Sequence, residues 1–184
     1  MARSIAWTGI AALIVATAAL ADPSPSDGSY VPAHALGSGD DDWWTVYPEG
    51  HARAGSEVQH PEWVLDGLEE KPLLILVHSS TCRPCLERMA SIDEVLESYR
   101  QDLEYEDVLG EGDGVQRAME ILSAYDPEGG EGYVPTTIFL TRVRSEDGVK
   151  VAWHSVIDAM SRSDIEDYIK DAIYYYRTSA DEGS

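Results

Sequence analysis

With 184 residues, the chain has room for one domain of ordinary size plus some additional sequence, and not for two full domains. Thirty-four Asp and Glu against thirteen Lys and Arg leave a formal net charge of −21, which repels phosphate backbones and anionic bilayers and so excludes nucleic acid and such surfaces as partners of the folded part. A hydrophobic content of 43% supplies a core and excludes a disordered acidic chain. Of the basic residues only Lys71, Lys150 and Lys170 are lysines, a balance suited to salty surroundings, although an ordinary acidic secreted protein fits it too.

Arg3 precedes a mostly apolar run from Ile5 to Ala21 that exits through Ala19-Leu20-Ala21. That pattern predicts a signal peptide over 1–21 or, if uncleaved, an N-terminal membrane anchor, and places the remainder outside the cytoplasm. Residues 22–42, rich in Pro, Ser, Gly and Asp, read as a flexible acidic linker. Trp43 to Tyr47 has the composition of a short strand that covers a sheet edge or meets a partner. A folded domain is expected over 43–178, followed by a polar tail over 179–184.

Pro61 opens a short helix to Glu70 with Val64, Leu65 and Leu68 inward. The apolar run Leu73–Val77 predicts a strand buried on both faces. Cys82-Arg83-Pro84-Cys85 then begins a helix with the stripe Cys85, Met89, Ile92, Leu96 and Tyr99. Leu103–Leu109 is a further strand despite its acidic content, and Val115, Met119 and Leu122 mark a helix that ends before Asp126-Pro127. Thr136–Val143 and Val149–Val156 form an antiparallel hairpin across Ser145–Gly148, with Val149, Val151 and Trp153 inward. The last helix starts at Ser163 with Glu166 three residues on, a capping box, and carries Ile165, Tyr168, Ile169, Ala172, Ile173 and Tyr176 on its inner stripe. The order predicts an α/β sandwich with a mixed central sheet flanked by helices. Two acidic, glycine-rich stretches, Glu111–Gly114 and Asp126–Gly132, read as solvated loops, since neither has calcium-loop spacing. Tyr174 and Tyr175 fall off the core stripe and could form a small interface.

The two cysteines of the chain are separated by two residues. A structural disulfide would close a loop so short that chain entropy contributes only about 2 kcal/mol. A zinc site would need two more ligands, and the five His show no paired spacing. Two inert buried thiols are a third reading. Redox chemistry is favoured because the pair follows a buried strand and opens a helix, where N–H groups and the macrodipole stabilise a thiolate. Arg83 adds positive charge there, and Pro84 suits the first helical turn.

These residues, together with Val134-Pro135-Thr136-Thr137 leading into Ile138-Phe139-Leu140, resemble the thioredoxin family over about Trp44 to Tyr176. The resemblance implies a thioredoxin-like three-layer sandwich, with Cys82 as exposed nucleophile, Cys85 as buried resolving thiol, and a cis Pro135 facing the pair. Val134 would pair its backbone with an extended substrate. No cofactor beyond the Cys82–Cys85 disulfide is implied, and no metal. Expected partners are proteins with thiols or disulfides and a recycling redox protein, with the chain itself a monomer and membrane contact only through the N-terminal segment. Three departures stand out. Thr81 replaces the usual aromatic residue before the first Cys, Leu76 replaces the buried carboxylate that serves the resolving thiol, and Ser79 and Ser80 alter the loop. His78 is the nearest substitute for the proton-transfer role. The direction of electron flow is open between reductase and oxidase or isomerase. A non-catalytic binding module or adaptor, and a dedicated reductant for one partner, are the competing readings.

Overall fold

The structure, a computed structural model, describes residues 29–130, 132–157 and 159–180. The leader expected over 1–21 lies outside them. The elements in order are α1 (Glu62–Glu70), β1 (Leu73–His78), α2 (Arg83–Tyr99), β2 (Glu104–Leu109), a 3-10 turn at Gly112–Gly114, α3 (Val115–Tyr125), β3 (Thr136–Ser145), β4 (Gly148–Ile157) and α4 (Arg162–Ala180). The four strands lie in the order β2-β1-β3-β4. β1 runs parallel to β2 and antiparallel to β3, and β3–β4 is a hairpin from Thr136↔Ile157 to Ser145↔Gly148.

Strand alternation sends successive side chains to opposite faces, and each face builds its own core. Leu73, Ile75 and Val77 pack with Val64 and Leu68 of α1 and Ala118 and Ile121 of α3. Leu74 and Leu76 pack with Ile92, Val95 and Leu96 of α2 and Ile165, Ile169 and Ile173 of α4. Two helices on each side of a mixed sheet make the three-layer α/β sandwich expected from the sequence. The β1–α2–β2 crossover and the terminal hairpin supply the thioredoxin-like element order. All six residues of β1 are buried because both neighbours in the sheet and both helical layers cover them. β2 carries its acidic residues as an outer strand in which only Val108 is buried.

Several details differ from the sequence reading. In α3 the buried residues are Ala118, Ile121, Ala124 and Tyr125, whereas Val115 is exposed and Met119 is 66% exposed. Leu122 is partly buried against the core, and the inner face combines the small Ala118 and Ala124 with Ile121 and Tyr125. Leu65 and Val149 also face out, and together they line one surface groove. The capping box of α4 lies two residues earlier than expected: Ser161 Oγ accepts from the Asp164 N–H (3.1 Å) and the Asp164 carboxylate accepts from the Ser161 N–H (3.2 Å). Glu166 instead accepts from the Tyr99 hydroxyl (2.9 Å) and pairs with Lys170 (3.1 Å). α4 runs to Ala180 and so absorbs the first two residues of the expected tail.

The segment before α1 departs most. Residues 30–42 are not the flexible tether expected of them. The fully buried Asp171 of α4 accepts from the Tyr30 hydroxyl (2.7 Å), the Ala33 and His34 N–H groups (2.9 Å each) and the His34 ring (2.8 Å). The Tyr175 hydroxyl donates to the His34 carbonyl and the Tyr168 hydroxyl to that of Asp41 (2.9 Å each). Trp44 and Trp153 exchange backbone hydrogen bonds, so Trp44 covers the outer edge of β4 as an isolated bridge and not as a regular strand.

Candidate active site

Cys82 and Cys85 form a disulfide with their Cα atoms 5.2 Å apart. The backbone places them: β1 ends at His78, a short turn follows, and Cys82 is the N-cap of α2 with Pro84 in the first turn. Cys82 Sγ accepts a hydrogen bond from the Cys85 N–H at 3.1 Å, the position a capping oxygen would otherwise fill. Cys85 faces the core and is fully buried, while Cys82 remains partly exposed. One sulfur is therefore reachable from solvent and the other is not.

Opposite the pair, Cys82 Sγ lies 3.9 Å from the carbonyl oxygen of Val134, and the Val134–Pro135 peptide bond is cis. Pro135 is buried and Val134 half-exposed. Thus four of the six residues singled out in the sequence, Cys82, Cys85, Val134 and Pro135, meet at one end of the sheet. Pro84 is exposed beside them. Arg83 points away: its side chain is 90% exposed and bonds Glu87 at 3.1 Å, so its charge reaches Cys82 largely through water.

His78 is buried on the α2-facing side of β1, two residues beyond Leu76. Its Nε2 lies 2.8 Å from an Asp107 carboxylate oxygen, and its Nδ1 has no hydrogen-bond partner. Ser80 donates from both backbone N–H and hydroxyl to Glu111, which ties the loop before Cys82 to the loop after β2 and holds that carboxyl below the usual range. Glu111 is thus engaged at the site and not merely part of a solvated loop.

Two residues near the site escaped the sequence reading. Arg88, one turn beyond Cys85, is buried, reaches the Thr137 hydroxyl two residues after Pro135, and contacts Met160 Sδ at 3.7 Å. Burial lowers its pKa from the ordinary arginine value without discharging it. The sequence signal was its position i+3 from Cys85, which shares a helix face with it, but nothing there showed the distant Thr137 it reaches. Asp126 is buried and accepts four backbone N–H groups, from Glu128 (2.9 Å), Gly129 (3.1 Å), Gly130 (3.2 Å) and Gly132 (3.1 Å). It thereby shapes the loop that delivers Val134 to Cys82. Gly129 is required there: its φ is +69°, and a Cβ would approach His51 Nε2 to 2.7 Å. The sequence signal was an Asp followed by glycines, the pattern of a carboxylate folding a turn around itself.

Among the described residues no group of three or more His, Cys, Asp or Glu could hold a metal ion, and no helix is long and apolar enough to cross a membrane. No family model and no curated protein matches the chain. Among solved structures, the chain is similar to the crystal structure of a thiol:disulfide interchange protein, a thioredoxin family protein from Chlorobium tepidum TLS. The two share 14% identity and a TM-score of 0.41 over 59% of this chain and 83% of the other.

Proposed function

We propose that the Cys82–Cys85 pair carries out thiol–disulfide exchange on polypeptides outside the cytoplasm. The observation that carries this reading is the asymmetry of the disulfide: a reachable Cys82 sulfur at a helix N-terminus, held by the Cys85 N–H, beside a fully buried Cys85. In the reduced protein the Cys82 thiolate attacks one sulfur of a substrate disulfide, and the other leaves as a thiolate that takes up a proton. Cys85, as thiolate, then attacks Cys82 Sγ and the substrate departs as its second thiol. The substrate gains two electrons and the protein becomes the Cys82–Cys85 disulfide. A recycling dithiol partner then returns the protein to its reduced form. The same steps in reverse oxidise a substrate dithiol, and a disulfide partner then takes the two electrons from Cys82 and Cys85.

The Val134 carbonyl faces Cys82 and suits an extended substrate backbone. Because Leu76 cannot accept the Cys85 proton, His78 is the side chain suited to that role: Asp107 orients its Nε2, and its Nδ1 is uncommitted. Arg83 is too exposed to set the direction of electron flow.

The test is the redox equilibrium of the full chain against glutathione or dithiothreitol, with free thiol quantified by alkylation. A reversible two-electron transition is expected. A midpoint near about −270 mV marks a reductant and one near about −120 to −180 mV an oxidant or isomerase. Cys82→Ser should abolish turnover, and His78→Gln should let the mixed disulfide accumulate. A pair locked across the whole range, with substrate binding retained in Cys82→Ser, would establish a binding module instead.

A further inference from the structure

β4 is an outer strand, and among the described residues the N-terminal segment pairs with its backbone at one point. Trp44 and Trp153 exchange both hydrogen bonds, at 2.8 and 2.9 Å. Outward-pointing backbone groups recur at every second residue of a strand, so those of Ser155 also point away from β3. At this edge a recess of about 540 Å³ opens along His154–Ile157.

Asp40 and Asp41 reach this recess from the N-terminal segment, and Glu128 and Tyr133 from the loop that leads into Pro135. No Lys or Arg is among the described residues that line it, and none of the three carboxylates takes part in an ion pair among the described residues. His154 does not offset them, because burial pushes its pKa down to about 4 and leaves it neutral. Ser155, 4% exposed, is among the lining residues, and its buried Oγ has no hydrogen-bond partner among the described residues. Tyr133, 57% exposed, offers a ring to an aliphatic stem or a cation. Carboxylates beside an exposed aromatic ring suit a cation carried on an aliphatic side chain.

The recess adjoins the thiol site. Tyr133 precedes Val134, whose carbonyl is 3.9 Å from Cys82 Sγ, and Ile157 pairs with Thr136, the residue after Pro135. We propose that this recess receives a lysine or arginine side chain of the substrate polypeptide, a few residues from the cysteine being exchanged, so that the protein selects basic segments. This rests on the thiol–disulfide reading of Cys82 and Cys85.

The test compares two disulfide-linked peptides that differ only in Arg or Gln near the cysteine, with bis(2-hydroxyethyl) disulfide as an uncharged control. At low salt the Arg peptide is expected to react about fivefold faster in kcat/KM, from three exposed charge pairings, with the ratio falling toward one in about 1 M salt. The triple substitution Asp40→Asn, Asp41→Asn, Glu128→Gln should bring the ratio close to one. Glu57→Gln, Asp66→Asn, Glu97→Gln removes the same charge elsewhere on the surface and should leave the ratio in place. Equal losses in both triples would assign the preference to overall charge and overturn the recess, as would a ratio of one in the unaltered chain. If bis(2-hydroxyethyl) disulfide is not turned over, the thiol reading is what failed. Fluorescence anisotropy of the same peptides on the oxidised chain then decides the recess by itself: tighter binding of the Arg peptide, lost only in the first triple, supports it, and equal binding overturns it.

Discussion

Tyr168 stacks on His154, with ring centroids 4.2 Å apart, and on His34 at 3.8 Å, and the His154 Nδ1–H donates to the Asp42 carbonyl at 2.9 Å. Burial is the main cause that pushes the His154 pKa down to about 4, and the same cause brings His60, whose ring meets the Tyr125 hydroxyl at 2.8 Å, to about 4. Both are neutral in the fold and take up protons near pH 6.5 once unfolded, so the unfolded state binds more protons between those values. Stability should therefore be fully present above about pH 6.5 and fall as the pH drops toward about 4. His154 alone should account for on the order of 2 to 3 kcal/mol. Urea midpoints at pH 7.5 and 4.5, with His154→Gln as the flatter reference, check this, and a stability unchanged across that window would refute the buried neutral state. No His stood out in the sequence for this behaviour, since spacing along the chain does not show that residues 34, 154 and 168 share one stack.

At the scale of elements, one buried carboxylate on α4 fastens the segment before the domain. Asp171→Ala would leave the Tyr30 hydroxyl and two backbone N–H groups without their acceptor, at a cost of about 3 to 5 kcal/mol. The expected outcome is a lower urea midpoint and faster proteolysis within residues 30–42. Cleavage there no faster than in the unaltered chain would mean that the segment is held by other contacts. The sequence suggested a tether because Pro, Ser, Gly and Asp dominate it, and composition says nothing about a distant acceptor. The element types from β1 onward were legible because their periodicity reflects burial. The inner face of α3 was not, since Ala118 and Ala124 carry a weak hydrophobic signal and still make the contact. At the site, Cys82 and Cys85 were legible by spacing, whereas Arg88 and Asp126 act through partners 49 and up to six residues away.

At the scale of the whole molecule, the chain carries thirty-four acidic residues, and its four-stranded sheet has one core on each face. Self-repulsion at a net charge of −21 opposes the compact state, and added salt screens it. The thermal midpoint should rise between about 0.05 and 1 M KCl, with no rise expected in a variant whose surface carboxylates are largely converted to amides. A midpoint that falls with KCl would show that specific ion pairs outweigh the general repulsion.

Local and statistical properties were settled by the sequence alone: the charge, the class of fold, the strand that precedes Cys82, and the pairing of two cysteines at the start of a helix. Each of these depends on neighbours within a few residues, which is the range over which periodicity, capping and turn chemistry act. Only the tertiary structure brought Val134 to 3.9 Å from Cys82 Sγ, turned Arg83 out toward Glu87, and buried Arg88 against Thr137. It alone docked Tyr30 and His34 onto Asp171 and set Asp40 and Asp41 beside Glu128. These contacts join residues tens of positions apart, and chain packing decides them because the closing of one long loop fixes which side chains can meet.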